Sequence, residues 1–190
     1  FFLIIVCTLS LINTSYAYIV MQELIDFLVQ TNKQKSFEVA ENLKELKHDA
    51  KTYDFVIRKA NLDIVDAKNI AKAIKKIDLN DGPKLHTISM SFNDNLKDEG
   101  VIAILNQLPK ETSVIAFVEC GITDKAGEAI IEWANLKEVK NLNGIYIEGN
   151  SFSKEMEQKF DQLRANNPNL TVLSEWASES FKEMVKKSYN

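Results

Sequence analysis

An α/β solenoid, built from stacked strand–helix units, is the fold class that the sequence predicts, and three observations predict it. Ile88-Ser-Met90-Ser-Phe-Asn93, Ile115-Ala-Phe117-Val-Glu-Cys120 and Ile145-Tyr-Ile147-Glu-Gly-Asn150 each place apolar residues two apart, then Asn or Cys three residues on. Each segment is followed by an apolar residue (Leu96, Ile122, Phe152) and then by a helix-like stretch. The segments recur at intervals of 27 residues (Met90 to Phe117) and 30 residues (Phe117 to Ile147). A period in this range, with one strand and one helix per unit, marks a solenoid with parallel strands on a concave face and helices on a convex one.

The chain opens on an apolar run, Phe1 to Ile12, that leads into Ser15 and Ala17, the small-x-small arrangement of a signal-peptidase site. Twelve residues make a helix of about 18 Å, short of the ~30 Å hydrocarbon core. Residues 1–17 are therefore expected to be a signal peptide, with an uncleaved anchor from Phe1 to Met21 as the alternative. Residues 18–52 follow as a helical N-terminal cap. Val20, Met21, Leu24, Ile25 and Leu28 recur at three and four, as do Phe37, Ala40, Leu43 and Leu46 in a second helix. Neither helix carries the repeat signature, so both are expected to cover the open end of the array.

The repeats are expected over residues 53–175. In the first, Phe55 and Ile57 are the paired strand positions, then Leu62, then a helix with Ile70, Ala73, Ile74 and Ile77 on one face. Asn80-Asp81-Gly82-Pro83 is a turn cluster before the next strand. Asp98, Asp124 and Ser153 stand where helix N-caps belong. Buried helix faces are expected at Ile104, Leu105 and Leu108, at Ala126, Ile130 and Ala134, and at Phe160 and Leu163. Breaks fall at Pro109 and at Asn166-Asn167-Pro168. The last strand is Leu170-Thr-Val172. Trp176, Phe181, Met184 and Val185 then predict a final helix, with Glu179 early and Lys186 and Lys187 late as the helix dipole favours. Residues 176–190 are expected to be a C-terminal cap.

The pattern resembles the leucine-rich-repeat family, specifically its ribonuclease-inhibitor-like class. The residues that carry the resemblance are Leu85, Ile88, Met90, Asn93, Leu96 and Asp98, then Ile115, Phe117, Cys120, Ile122 and Asp124, then Leu142, Ile145, Ile147, Asn150 and Phe152. Thr112 stands where leucine is usual, and Lys154 where aspartate is. An inward Asn at this register supplies a donor and an acceptor to backbone groups that stacking hides from water, where an unpaired group costs about 1–3 kcal/mol. Asn93 and Asn150 are read as structural on this ground, and Cys120 as a small, inert core residue.

The formal net charge is −4, unevenly spread: residues 18–84 carry 12 basic and 11 acidic side chains, residues 85–190 carry 11 and 16. An acidic repeat region repels phosphates, so no nucleic-acid partner is expected. With Cys7 in the leader, Cys120 is left alone, which excludes an internal disulfide and a thiolate zinc site. No phosphate-binding Gly-rich loop, HExxH or GxSxG occurs. Asp78 to Gly82 hints at a calcium loop, but Ser89 stands where the bidentate Glu belongs. No cofactor, no metal and no catalytic residue is assigned. Asn169-Leu170-Thr171 is a glycosylation sequon only if the source is eukaryotic.

Function is therefore sought on the concave face, which the resemblance implies is used for protein ligands. Its candidate residues are Arg58, Ser89, Ser91, Val118, Glu119, Tyr146 and Glu148, with Tyr146 as the aromatic anchor. The expected function is a non-catalytic protein-binding module, monomeric, secreted or periplasmic. A membrane-tethered envelope scaffold is the alternative if the leader is retained.

Overall fold

The computed structural model describes residues 21–46 and 49–188. The leader expected over residues 1–17 lies outside these residues, as do Val20 and His48. Among the described residues, no helix is long and apolar enough to cross a membrane.

The alternating segments form β2 (Lys84–Ser89), β3 (Val114–Ala116) and β4 (Gly144–Tyr146), flanked by β1 (Thr52–Val56) and β5 (Thr171–Leu173). All four pairings are parallel, and the spatial order follows the chain, β1-β2-β3-β4-β5. Between successive strands run α3 (Ile64–Leu79), α4 (Lys97–Gln107, after a 3-10 turn at Asp94–Leu96), α5 (Asp124–Ala134) and α6 (Lys154–Asn166). Each of these helices packs on the next. The result is an α/β arrangement of solenoid-like order. Ahead of β1, residues 21–30 are helical (α1) and Gln34–Lys44 form α2. After β5 comes α7 (Glu179–Ser188).

The apolar positions stack in phase. Phe55, Ile88, Ile115, Ile145 and Val172 are paired across all five strands. One step on, Ile57, Met90, Phe117 and Ile147 donate backbone bonds of 2.8–2.9 Å to Ser89, Ala116, Tyr146 and Leu173 of the next strand. All nine are at most 1% exposed and belong to one core cluster. That cluster also takes Met21, Leu24, Ile25 and Leu28 from α1, and Val39, Ala40 and Leu43 from α2. The N-terminal helices are fixed to α3 by ion pairs, Lys76 with Glu23 and Lys33 with Asp66.

The inward Asn register satisfies the backbone as the sequence predicts. Asn93 Oδ1 accepts from the N–H groups of Ala60 (2.9 Å) and Leu62 (3.1 Å), and its amide donates to the carbonyls of Ile57 (3.0 Å) and Met90 (2.8 Å). Asn150 repeats the pattern one unit on. It accepts from Cys120 and Ile122 and donates to Phe117 and Ile147. Cys120 Sγ donates to the carbonyls of Met90 (3.3 Å) and Val118 (3.5 Å).

Two capping expectations need correction. Asp98 and Asp124 do not cap their own helices. Asp98 accepts instead from Thr123 N–H (2.7 Å), Thr123 Oγ1 (2.7 Å) and Ala126 N–H (3.2 Å), at the start of the next helix. Asp124 accepts from Ser153 N–H at 2.8 Å in the same way. The carboxylates tie adjacent units together, because stacking places the exposed N–H groups of the next helix within reach. Ser153 does cap α6, accepting from Met156 N–H. α3 carries a capping box, Asp63 with Asp66.

Candidate functional site

The opposite face of the sheet is built from the residues between the core positions. Val56, Ser89, Ala116, Tyr146 and Leu173 pair in one register across the five strands. Arg58, Ser91, Val118 and Glu148 stand two residues further along. Next after them come Lys59, Phe92, Glu119 and Gly149, all with positive φ (52°, 62°, 47° and 74°). The strands therefore end in the same left-handed turn, repeated four times. Gly149 is the one position of the four where a side chain is excluded on space as well as on φ. A Cβ there would lie 2.6 Å from Glu119 Cγ and 2.8 Å from Trp176 Nε1.

The C-terminal segment does not lie beyond β5, where a cap on the last unit was expected. It turns at Trp176, and α7 lies over the strand face. Trp176, Phe181 and Val185 line one cavity with Arg58, Ala116, Val118, Tyr146, Glu148 and Leu173. Lys186 Nζ pairs with Glu119 at 2.8 Å, and Lys59 Nζ donates to Lys186 O at 3.0 Å. The bond to Glu119 is the main cause that holds the Lys186 ammonium above its ordinary range. Ser188 reaches the depression bounded by α2 and Arg58, at the far side of the sheet. A ten-residue helix spans about 15 Å, and five strands about 19 Å, so α7 reaches across most of the face. The physical reason is the stripe Phe181, Met184 and Val185 at helical spacing. Two of its three residues, Phe181 and Val185, line the cavity that Ala116, Val118 and Leu173 line from the strand side.

This arrangement changes the standing of the predicted site residues. All seven lie on or beside the strand face, and all but Glu119 line the cavity under α7. Ser89, Ser91, Val118 and Glu148 are buried, however, rather than presented to solvent. Arg58, Glu119 and Tyr146 are half-buried. Ser89 and Ser91 are engaged with the scaffold: Arg58 Nε donates to Ser89 Oγ (2.9 Å), the two hydroxyls bond each other (3.4 Å), and Val118 N–H donates to Ser91 Oγ (3.2 Å). Glu148 is the exception. Its Oε2 has no hydrogen-bond partner among the described residues, and desolvation pushes its carboxyl above the usual range. Trp176 Nε1, which the sequence assigns only to a capping helix, is also buried and has no partner among the described residues. The alternation pattern could not reveal either feature, since it locates the face but not what folds back over it.

Cys120 has the character of a core residue. Its thiol is fully buried, and desolvation pushes it up to about 12, leaving almost no thiolate at neutral pH. His86 bonds to Asp54 (3.2 Å) and Thr87 (3.1 Å), not to the sulfur. Among the described residues no group of His, Cys, Asp or Glu is placed to hold a metal ion.

Comparison with models of protein families gives no match for this chain, and comparison with curated proteins gives none either.

Proposed function

We propose that the chain is a short leucine-rich-repeat array of the ribonuclease-inhibitor-like class that acts outside the cytoplasm as a non-catalytic protein-binding module. Its strand face takes an amphipathic helical segment of a partner protein, and α7 occupies that seat in the free chain. The observation that carries this reading is the position of α7. The helix lies across the face with Phe181 and Val185 toward it, yet none of its own residues is buried, and Met184 is 58% exposed. A helix seated with so little burial is a replaceable occupant. A partner helix with apolar residues at the same i, i+3, i+4 spacing and a lysine reaching Glu119 would use the same contacts, in the helix-in-groove manner. Tyr146, half-buried in the middle of the face, is the anchor on this side.

A labelled peptide of residues 175–190 tests the reading against two full-length chains, wild type and the double variant Phe181→Asp/Val185→Asp, whose own α7 loses its apolar stripe and turns two carboxylates toward an apolar wall. The peptide is expected to bind the double variant with Kd on the order of 10 µM and the wild type at least about tenfold more weakly. Adding Tyr146→Ala to the double variant should weaken binding by a further factor of about ten. No binding to the double variant, or equal binding to both chains, would remove the strand face as a helix seat.

A further inference from the structure

We propose that the groove between α3 and α4, on the helix side of the solenoid, is a second docking site, which takes an acidic helical segment of a partner protein. The groove has a volume of about 530 Å³. Lys68, Lys72, Lys75 and Lys76 of α3 line it, and Ala71 and Ala103 supply small apolar contacts between the two helices. Asn106 and Gln107 line it from α4, and Leu79, the last residue of α3, adds an apolar side chain that is 69% exposed. No carboxylate is among the lining residues. Nearby carboxylates answer part of the charge. Glu23 pairs with Lys76, Asp78 pairs with Lys75 and Lys84, and Glu99 pairs with Lys125 while acting on Lys68 at longer range. Lys68 and Lys72 are both exposed and have no ion pair among the described residues. A further cation, Lys110, stands close enough to Lys75 for that charge to lower its ammonium, after burial as the larger cause.

The chemistry of the partner follows from these groups. A cleft lined by one sign of charge focuses its field and draws the opposite sign. Lys68, Lys72 and Lys76 stand four residues apart, so they form a row along one face of α3. A partner helix with glutamates at i, i+4 and i+8 carries carboxylates at the same pitch. The side chains of Ala71 and Ala103 are short, which lets such a helix approach α3 and α4 closely. A leucine one turn beyond the glutamates would meet Leu79. A flat anionic membrane fits less well. It cannot enter the groove, and α5, next after α4, carries Asp124, Glu128 and Glu132 against the single cation Lys125. The groove lies on the other side of the sheet from the strand face and involves no residue of α7. A failed experiment on the helix seat would leave it untouched.

The probe is a labelled alanine-based peptide of about sixteen residues, long enough to be helical in water. It carries glutamates at i, i+4 and i+8 with a leucine one turn outside them at each end, and the control peptide has glutamine at the same three positions. Each is titrated into the full wild-type chain at about 0.1 M salt and followed by fluorescence anisotropy. The glutamate peptide is expected to bind saturably with Kd on the order of 100 µM, and the glutamine peptide at least about tenfold more weakly. Lys68→Glu/Lys72→Glu, at two exposed positions, should weaken the glutamate peptide by at least about tenfold. Lys154→Glu/Lys159→Glu makes the same charge change on α6 and should bind within about twofold of wild type, since screening limits the reach of a distant charge. Ala103→Gln, which fills the groove without adding charge, should weaken binding by at least about fivefold. The proposal is overturned if the peptide does not bind, if the two peptides bind equally, if Lys68→Glu/Lys72→Glu or Ala103→Gln binds as wild type does, or if the α6 variant loses as much as the α3 variant. Phosphatidylserine vesicles are run beside the peptides. Vesicle binding that Lys68→Glu/Lys72→Glu abolishes, with no binding of the glutamate peptide, would give the groove to a membrane and overturn the proposal as well.

Discussion

Asn93→Ala is expected to cost about 3–5 kcal/mol of unfolding free energy, enough to unfold a chain of ordinary stability. The side chain is 1% exposed and serves two N–H groups and three carbonyls, those of Ile57, Met90 and Ser91. Alanine leaves Ala60 N–H, Leu62 N–H, Ile57 O and Met90 O without that partner, in a layer closed on both sides by neighbouring units. Each orphaned group costs about 1–3 kcal/mol, and relaxation of the loop recovers part of the sum. The equivalent change Asn150→Ala should cost less, because Asn150 is half-buried and water can reach some of the freed groups. Urea unfolding of the three chains checks the order: wild type, then Asn150→Ala, then Asn93→Ala. Equal midpoints for the two variants would contradict the role given to burial.

Phe117→Ala is the second large effect, at about 3–5 kcal/mol. Phe117 is fully buried at the centre of the second core rung, between Met90 and Ile147. Removing the ring leaves a void that the flanking strands cannot close, since each is hydrogen-bonded to its neighbours on both sides. The measured midpoint should fall with the denaturant slope unchanged, which separates a packing loss from a change in the unfolded state. Phe117→Leu keeps most of the volume and should recover the greater part of the loss. A cost below about 1 kcal/mol for Phe117→Ala would mean that the rung is not packed at that point.

What the sequence made legible was whatever repeats. Residues two apart in each strand, with Asn or Cys three further on, placed Ile88, Met90 and Asn93 and their counterparts correctly, because one local rule operates in every unit. Capping was legible only within a unit. Asp63 and Ser153 act on their own helices, whereas Asp98 and Asp124 act on the next one, and no rule of spacing within a helix reports a bond to residue 123 or 153. The site was half legible. Alternation identified the strand face and six of the residues that line its cavity, yet not their burial. The reason is α7, whose apolar stripe was visible but whose destination depends on a long-range contact. Gly149 held a clue, since its positive φ and the missing Cβ leave the room that Trp176 takes.

The seat of α7 on the strand face is the claim on which both the proposed partner site and the cavity beneath it depend. Nuclear Overhauser contacts between the side chains of Phe181 and Val185 and those of Val118 and Tyr146, in the full chain, measure it most directly. Cross-peaks from α7 to both strand-face residues are expected, and they should disappear in Phe181→Asp/Val185→Asp while those within the Met90, Phe117 and Ile147 rung persist. A wild-type spectrum with the core cross-peaks intact and none from α7 to Val118 or Tyr146 would contradict the account.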